Sequence, residues 1–474
     1  MKIVILNGSP KGNELSVTMQ YIYYIKKIFP EHEFTPINIG QLLTNMRLSE
    51  VRFQKIVEEI KSADGIVWAF PVYTRLIPSQ LKKFIELLFE QNLKEVKDKY
   101  AVALSTSMNF YDNTAHDYMH AVVEDLGMKY VGFFSAETFD FDKFDVRKKW
   151  YLFMEYFLNT IASKKAVSRR FAPIKSRRFE YMPKNVANDM KIDNLGKKII
   201  ILTDYTDKES NAARMVNRFK DSFKDGVEIY NFHDIDIKGG CLGCCKCGLD
   251  NQCVYNDGFS EFFQKIKNTD ILVCSGTMTD RFLSSKWKQY LDRCFHNGHV
   301  PGNEGTQMCF LISGELSQNE NLWQWISGIA ELGFGNLVDI VTDEFGESEE
   351  IDELIYNMAK QSIDFSKKGY VRPPTFLHVG GYKIFRDMIF GLPGALFRMD
   401  YKFFKKRKMF DFPTRKTSER MKRGLLGTLF KSKKVRNKFK PKFKEVLVSP
   451  AIRTLKEIDF NLEKEKLVDI DVWV

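Results

Sequence analysis

Residues 2–18 read KIVILNGSPKGNELSVT, which is an apolar run, a loop rich in glycine and serine, and the beginning of a helical pattern. The run Lys2–Asn7 predicts a strand buried on both faces, and Ser16–Ile28 predicts the helix that follows. Two further apolar runs, Gly65–Phe70 and Tyr100–Leu104, are separated by stretches with helical spacing. Such strands, alternating with helices, indicate a parallel sheet covered by helices on both faces.

The loop after the first strand carries groups suited to a phosphate. It supplies two glycines, Lys11 and the hydroxyls of Ser9, Ser16 and Thr18 around the start of a helix. Backbone N–H groups and the helix dipole favour an anion at such a position. The spacing matches neither GxGxxG nor GxxxxGK[ST], so the dinucleotide and P-loop patterns do not fit. From the loop alone, a turn in which Ser16 caps the helix is an equal alternative.

Polar and aromatic loops follow the next two predicted strands. The first contains Pro71-Val72-Tyr73 and the second contains Thr106-Ser107. Because ligands of parallel sheets bind beyond the carboxyl ends of the strands, these loops could flank a planar ring. Together with the phosphate loop they suit a mononucleotide with a flat heterocycle, although Tyr73 by itself is better explained as a packing aromatic.

These three loops, in this order, resemble those of the flavodoxin-like NAD(P)H-dependent FMN reductases. The resemblance covers most of residues 1–130 and implies FMN as cofactor and NAD(P)H as electron donor. The family usually has arginine where Lys11 stands, which keeps the charge and loses the fork geometry. The residues that the resemblance assigns to FMN are Ser9, Pro10, Lys11, Ser16, Val17, Thr18, Pro71, Val72, Tyr73, Thr106 and Ser107.

The strand and helix pattern restarts at Lys197 and indicates an internal duplication. Strands are predicted at 198–202, 270–274 and 307–312, and helices at 210–223 and 284–295. The counterpart of the phosphate loop, Thr203–Glu209, has three acidic residues and no glycine, so it should repel a phosphate. We therefore expect one flavin per chain, in the first copy.

Five of the eight cysteines lie between Cys241 and Cys253. Cys241, Cys244, Cys247 and Cys253 form the pattern C-x2-C-x2-C-x5-C, and Cys245 is a fifth sulfur. A compact set of four cysteines holds either an iron–sulfur cluster or a structural zinc ion, and the absence of histidine favours the cluster. The position of this motif within a flavodoxin-like pattern resembles the iron–sulfur flavoproteins, which implies a [4Fe-4S] cluster that exchanges electrons with the flavin.

The chain of 474 residues is too long for one ordinary core and divides into four predicted parts. They are an FMN-binding domain (1–165), a basic linker (166–195), a second flavodoxin-like domain with the cysteine insert (196–365) and a basic, aromatic-rich extension (366–474). The net charge is +11, and residues 371–445 alone contain 22 Lys+Arg and 5 Asp+Glu. Peripheral contact with an anionic membrane through 371–445 is the functional interpretation and is favoured for the tail. For the aromatic part, Tyr382–Phe412, packing on the domains with solvated lysines is favoured. Nucleic-acid binding is not favoured.

The expected fold class is α/β, with two tandem flavodoxin-like, doubly wound parallel-sheet domains. No apolar run approaches the roughly 20 residues that span a bilayer, and the amino terminus resembles a strand rather than a leader, so we expect a cytoplasmic protein, associated with a membrane only at its periphery. The expected function is an NAD(P)H-dependent oxidoreductase that passes electrons through FMN and a [4Fe-4S] cluster to a small-molecule or protein acceptor. A non-enzymatic electron carrier or redox sensor tethered to a membrane partner, and a zinc-stapled scaffold with a vestigial flavin site, remain open. A homo-oligomer would be compatible with each.

Overall fold

The computed structural model describes residues 1–91, 96–298, 300, 302–410 and 417–468. The chain forms two compact units. The first consists of Met1–Ala172, Gly239–Lys246 and Leu429–Val474, and the second consists of Pro173–Lys238 and Cys247–Thr428.

The first unit is built on a five-stranded parallel sheet with the strand order β2-β1-β3-β4-β5. Its strands are β1 (Lys2–Asn7), β2 (Glu33–Ile37), β3 (Gly65–Pro71), β4 (Tyr100–Ser107) and β5 (Lys129–Glu137). Its first six helices are α1 (Val17–Ile28), α2 (Ile39–Leu42), α3 (Glu50–Ser62), α4 (Ser79–Glu90), α5 (Asp112–Asp125) and α6 (Phe144–Ala162). This strand order is that of flavodoxin. The central strands β1, β3 and β4 were predicted from their apolar runs, and the edge strands β2 and β5 were not, because they are only partly buried.

The second unit repeats this sheet with the order β10-β9-β8-β6-β7, again with parallel pairing throughout. Its strands are β6 (Ile199–Thr203), β7 (Val227–Asn231), β8 (Ile271–Thr277), β9 (Gln307–Ser313) and β10 (Asn336–Thr342). The helices along these strands are α7 (Asn211–Asp221), α8 (Phe259–Ile266), α9 (Ser285–Arg293), α10 (Glu320–Leu332) and α11 (Ser348–Lys368). The predicted fold class, two tandem flavodoxin-like domains, is confirmed.

Equivalent details in the sheets and helices of the two units support a duplication. The outer strands β5 and β10 each skip one residue of the register at the same place, Val131 in the first unit and Val338 in the second. Helix α4 contains a buried ion pair in which Lys82 Nζ lies 3.0 Å from Glu86 Oε1. Helix α9 contains the equivalent buried pair, Lys288 with Asp292. Two copies of one ancestral domain explain both coincidences.

The remaining carboxyl-terminal segment is helical. Its helices are α12 (Phe376–Phe390), α13 (Pro393–Leu396), α14 (Arg398–Lys406), α15 (Thr417–Leu429), α16 (Lys433–Phe439), α17 (Phe443–Glu457) and α18 (Phe460–Val468). In the first unit, Glu463 of α18 forms a salt bridge with Arg147 at 2.7 Å and accepts a hydrogen bond from Tyr24. Val448 and Ala451 of α17 are buried in the core of the same unit. Helices α17 and α18 are therefore part of the first domain's packing.

The middle of the extension packs inside the second unit through aromatic rings. Tyr382 stacks on Phe404 with ring centroids 5.4 Å apart, and Phe334 meets Tyr382 edge to face at 5.1 Å. Among the described residues, no helix is both long and apolar enough to cross a bilayer.

A buried histidine supports the end of β4. His116 of α5 lies with its Nε2 2.8 Å from Ser105 Oγ, and its ring stacks on Phe133 with centroids 4.1 Å apart. Burial lowers the pKa of His116 from 6.5 to about 4. His116 is therefore neutral at pH 7, whereas it gains a proton below about pH 6.5 once the chain unfolds.

The substitution His116→Gln should flatten the pH dependence of stability. Because the unfolded state binds the extra proton, the stabilisation is fully present above pH 6.5 and is lost as the pH falls towards 4. Between pH 7 and pH 5 the wild type should lose about 2 kcal/mol more unfolding free energy than the variant. Denaturant titrations at both pH values measure this, and parallel pH profiles would contradict it.

Candidate functional site

The loop between β1 and α1 is fixed by side-chain amides. Asn7 Oδ1 accepts a hydrogen bond from Ser9 N at 2.9 Å, and Asn7 Nδ2 donates to Asn38 Oδ1 at 2.9 Å. Gly12 has a φ of +75°, and a Cβ at this position would lie 2.3 Å from Gln41 Nε2. The loop thus needs glycine at position 12, and hydrogen bonds of Asn7 fix its beginning.

The hydroxyls of the phosphate loop are gathered at the beginning of α1. Ser9, Ser16 and Thr18 are each 1% exposed, and Pro10 and Val17 are also buried. Ser16 occupies the position before the helix, yet its side chain makes no capping hydrogen bond. The first N–H groups of α1 are therefore not capped by Ser16 and can face an anion. The alternative prediction of a Ser16-capped turn does not describe this helix.

The equivalent helix of the second unit differs in this respect. The side chain of Ser210, before α7, accepts a hydrogen bond from Ala213 N at 3.3 Å. A cap of this kind satisfies the helix from within the chain. This difference supports the prediction that only the first unit holds a flavin phosphate.

Thr106 joins the three predicted flavin loops. Its hydroxyl lies 2.6 Å from the hydroxyl of Thr18, and its carbonyl accepts a hydrogen bond from Val72 N at 3.1 Å. Thr106 and Ser107 were predicted in a loop and instead are the last residues of β4. Pro71 ends β3. All of the predicted flavin residues thus lie at one edge of the first sheet.

The loop that contains Tyr73 is a tight reversal. Tyr73 and Leu76 exchange backbone hydrogen bonds of 2.8 and 3.0 Å, and Thr74 and Arg75 both have positive φ. Arg75 is 8% exposed, and burial lowers the pKa of its guanidinium to about 10. Sequence reasoning did not select Arg75, because an arginine beside a surface loop carries no distinguishing pattern.

A distant segment of sequence, 239–246, belongs to the same unit as these loops. Gly240 N donates to Thr44 O at 3.2 Å, and Gln80 Nε2 donates to Cys241 O at 3.1 Å. Gly243 lies directly on Tyr73, so that an added Cβ would be 1.6 Å from the tyrosine oxygen and 3.3 Å from Lys11 Cε. Cys241, Cys244 and Cys245 are therefore held beside the predicted flavin loops.

Positive charge is concentrated beside these thiols. Burial lowers the pKa of Lys444, a residue of α17, and the charges of Lys11 and Lys246 lower it further, whereas Cys244 and Cys241 raise it. Burial raises the pKa of the Cys245 thiol, and Lys11 and Lys444 oppose that rise. Lys444 was not selected from the sequence, because it lies in a basic run that gives no sign of which lysine turns inward.

The backbone around the cysteines is tightly turned. Gly243 and Cys245 have φ values of +58° and +54°. Gly243 N donates to Cys241 Sγ at 3.4 Å, and such N–H···S bonds also tune the sulfurs of iron–sulfur clusters. None of the eight cysteines, all of which lie within the described residues, forms a disulfide.

The other two predicted metal ligands, Cys247 and Cys253, belong to the second unit. Both are partly buried, and Cys247 Sγ lies 3.9 Å from Phe295 O. Within the described part of the chain, no three His, Cys, Asp or Glu side chains are arranged to hold a metal ion. The cluster and its zinc alternative remain predictions.

Comparison with known proteins assigns the first domain. Residues 1–139 match the family model of NADPH-dependent FMN reductases. The match covers less than a third of the chain, so it concerns the first domain alone. Its activity class is therefore that of an NAD(P)H-dependent flavin oxidoreductase with FMN as cofactor. The predicted resemblance over residues 1–130 is confirmed.

Solved structures similar to the chain include three oxidoreductases. An apo NADH:FMN oxidoreductase is 21% identical and covers 34% of this chain and 89% of its own, with a TM-score of 0.29. An FMN-dependent NADH-azoreductase from Bacillus anthracis in complex with FMN is 19% identical (35% and 99% covered, TM-score 0.26). An NAD(P)H:quinone oxidoreductase from Methanothermobacter marburgensis is 13% identical (35% and 99%, TM-score 0.27). No curated protein sequence matches the chain.

The first domain has a donor set that fits the phosphate of FMN. The amino terminus of α1 is not capped by Ser16, buried hydroxyls surround it, and Lys11 supplies a positive charge on the same loop. N–H groups, hydroxyls and a cation are the partners that a phosphate dianion prefers.

Gly243→Ala should disturb the flavin site from a distant part of the sequence. The new methyl group would overlap the Tyr73 oxygen, so either the ring or the segment must move, at a cost of roughly 1–3 kcal/mol. Titration of the apoprotein with FMN should show weaker binding and a shifted flavin spectrum. The control Gly424→Ala, where no atom lies within 4 Å of the new Cβ, should bind FMN normally. Equal FMN affinity in both variants would contradict the contact.

Proposed function

We propose that this protein oxidises NAD(P)H at FMN and transfers the electrons one at a time to a [4Fe-4S] cluster held by Cys241, Cys244, Cys247 and Cys253. An oxidised small molecule or redox protein would be the final acceptor. The observation that carries the proposal is the contact of the cysteine segment with the flavin loops, in which Gly243 lies against Tyr73. A segment that served only to staple the second domain would not need to return to this edge of the first sheet.

The residues of the first unit would divide the binding of FMN between them. The first turn of α1, the hydroxyls of Ser9 and Ser16, and Lys11 would hold the phosphate, as their burial and position suggest. Tyr73 and the end of β4 would flank the ring. Bound FMN supplies the chemistry of accepting a hydride and releasing single electrons, so no side-chain acid, base or nucleophile is required.

The cysteine segment would bring its thiolates into a positive environment. Lys444 interacts electrostatically with Lys11, Lys246, Cys244 and Cys241, and Cys245 interacts with Lys11 and Lys444. The deprotonated thiolate is the form of cysteine that binds metal. A [4Fe-4S] cluster bound there would supply a one-electron acceptor.

The double variant Cys241→Ser/Cys244→Ser should lose the cluster and keep FMN. After anaerobic purification it should lack iron and sulfide and retain FMN, because the phosphate loop is intact. NADH-dependent reduction of the bound flavin should persist, while reduction of a one-electron acceptor such as ferricyanide should slow. The control Cys274→Ala, in a buried strand position, should keep iron and sulfide at the wild-type ratio.

Metal analysis of the wild type decides between the proposal and its rivals. Zinc without acid-labile sulfide would support a zinc-stapled scaffold. A cluster and flavin with no oxidation of NADH or NADPH would support an electron carrier.

Lys444→Met should weaken FMN binding about fivefold, because it removes a charge whose field reaches Lys11 beside the phosphate loop. Titration with FMN and with riboflavin, which lacks the phosphate, measures the effect. Only the FMN affinity should change if Lys444 acts on the phosphate. Lys438→Met, at an exposed position of α16, is the matched control and should change neither. Equal losses for both ligands would contradict this role.

A further inference from the structure

Helix α15 presents an apolar stripe to solvent. Met421, Leu425 and Leu429 are 76%, 68% and 51% exposed. Their spacing of four residues places them on one face of the helix. In the same helix, a Cβ added to Gly424 would meet no atom within 4 Å. No residue of this helix is buried.

The opposite face of α15 holds the helix on the second unit through arginine. The guanidinium of Arg420 lies 5.2 Å from the ring centroid of Phe390, and that of Arg423 lies 4.0 Å from the ring centroid of Tyr401. A surface helix of a globular protein normally turns its apolar side inward and its charges outward. In α15 two cations contact aromatic rings of the protein, and Met421, Leu425 and Leu429 face solvent, so the apolar stripe is not explained by the packing of the fold.

The positive charge of the residues next to the stripe indicates which surface the stripe would contact. Residues 431–442, which follow α15 directly, contain seven Lys and Arg residues and no Asp or Glu. An apolar helix face accompanied by many cations is the pattern of helices that lie in the interface of a bilayer with anionic lipids. A second copy of the chain would bring the same positive charge to the contact, so self-association through this face is disfavoured by repulsion.

We propose that α15 is a membrane-surface element, which inserts Met421, Leu425 and Leu429 among the headgroups of an anionic bilayer. The lysines after the helix contact the lipid phosphates. Because Arg420 and Arg423 fasten the helix to Phe390 and Tyr401, the second unit would follow it to the surface. This inference does not depend on the flavin or the cysteine segment, so the failure of either proposal leaves the other standing.

Co-sedimentation of the intact holoprotein with vesicles tests the proposal. The wild type should bind phosphatidylcholine vesicles that contain phosphatidylglycerol and should not bind pure phosphatidylcholine. High salt should release it, because screening weakens the attraction to the headgroups. Met421→Ser/Leu425→Ser should lower the vesicle affinity about tenfold, since two apolar side chains no longer enter the interface. The control Val51→Ser, which removes an apolar side chain that is 69% exposed on α3, should bind as the wild type does.

A reporter variant keeps the test decisive if the double variant folds poorly. Leu425→Trp should show a blue-shifted fluorescence increment over the wild type when anionic vesicles are added, and none with neutral vesicles. Failure of the wild type to bind anionic vesicles would overturn the proposal, as would equal binding by the folded serine variant. Light scattering that shows a wild-type dimer and a monomeric serine variant would also overturn it, because the stripe would then be an interface between copies. Binding that survives high salt undiminished would overturn the assignment to anionic lipid.

Discussion

Thr106 joins the loops that are predicted to bind flavin at one edge of the first sheet. Its hydroxyl pairs with Thr18 at the beginning of α1, and its carbonyl accepts a hydrogen bond from Val72 after β3. These two contacts connect three loops that are far apart in the sequence. Parallel strands make this possible, because their carboxyl ends meet at one edge of the sheet. The phosphate loop and the Tyr73 loop therefore act as one preformed surface, and His116, bonded to Ser105, supports it from the helix behind.

The two copies differ at the amino terminus of the helix that follows the first strand. In the first, Ser16 leaves the amino terminus of α1 uncapped, and in the second Ser210 caps α7 with its own side chain. One hydroxyl thus distinguishes a helix that can receive a phosphate from one that is already satisfied. The second copy carries instead the cysteine insert, whose segment 239–246 belongs to the first compact unit. The contact of Gly243 with Tyr73 supports the proposed exchange of electrons between the cysteine segment and the flavin.

The carboxyl-terminal extension is divided in a similar way. Its last two helices are integral to the first domain, since Glu463 pairs with Arg147 in a largely buried site and Val448 is fully buried. One of its many lysines, Lys444, turns towards Lys11 and the cysteines, and burial lowers its pKa. Helix α15 instead contacts the protein through two arginines and exposes the apolar side chain of Leu425 to solvent. The basic, aromatic-rich extension therefore contains residues with three different physical roles. Some pack in the core, Lys444 places a positive charge beside the cysteines, and α15 exposes an apolar stripe to solvent.

The sequence by itself determined the class of fold and predicted the flavin loops. Buried central strands must be continuously apolar, and a phosphate loop must combine small residues with hydroxyls, so both leave local patterns such as those of Lys2–Asn7 and Ser9–Thr18. The edge strands β2 and β5 left weaker patterns, because one side of an edge strand has no neighbour. Only the tertiary structure decided that Gly243 meets Tyr73, that Lys444 joins Lys11, and that Met421 and Leu425 face solvent. Each of these features involves a residue that is chemically similar to many others in the sequence. Such features depend on how distant segments pack rather than on local periodicity.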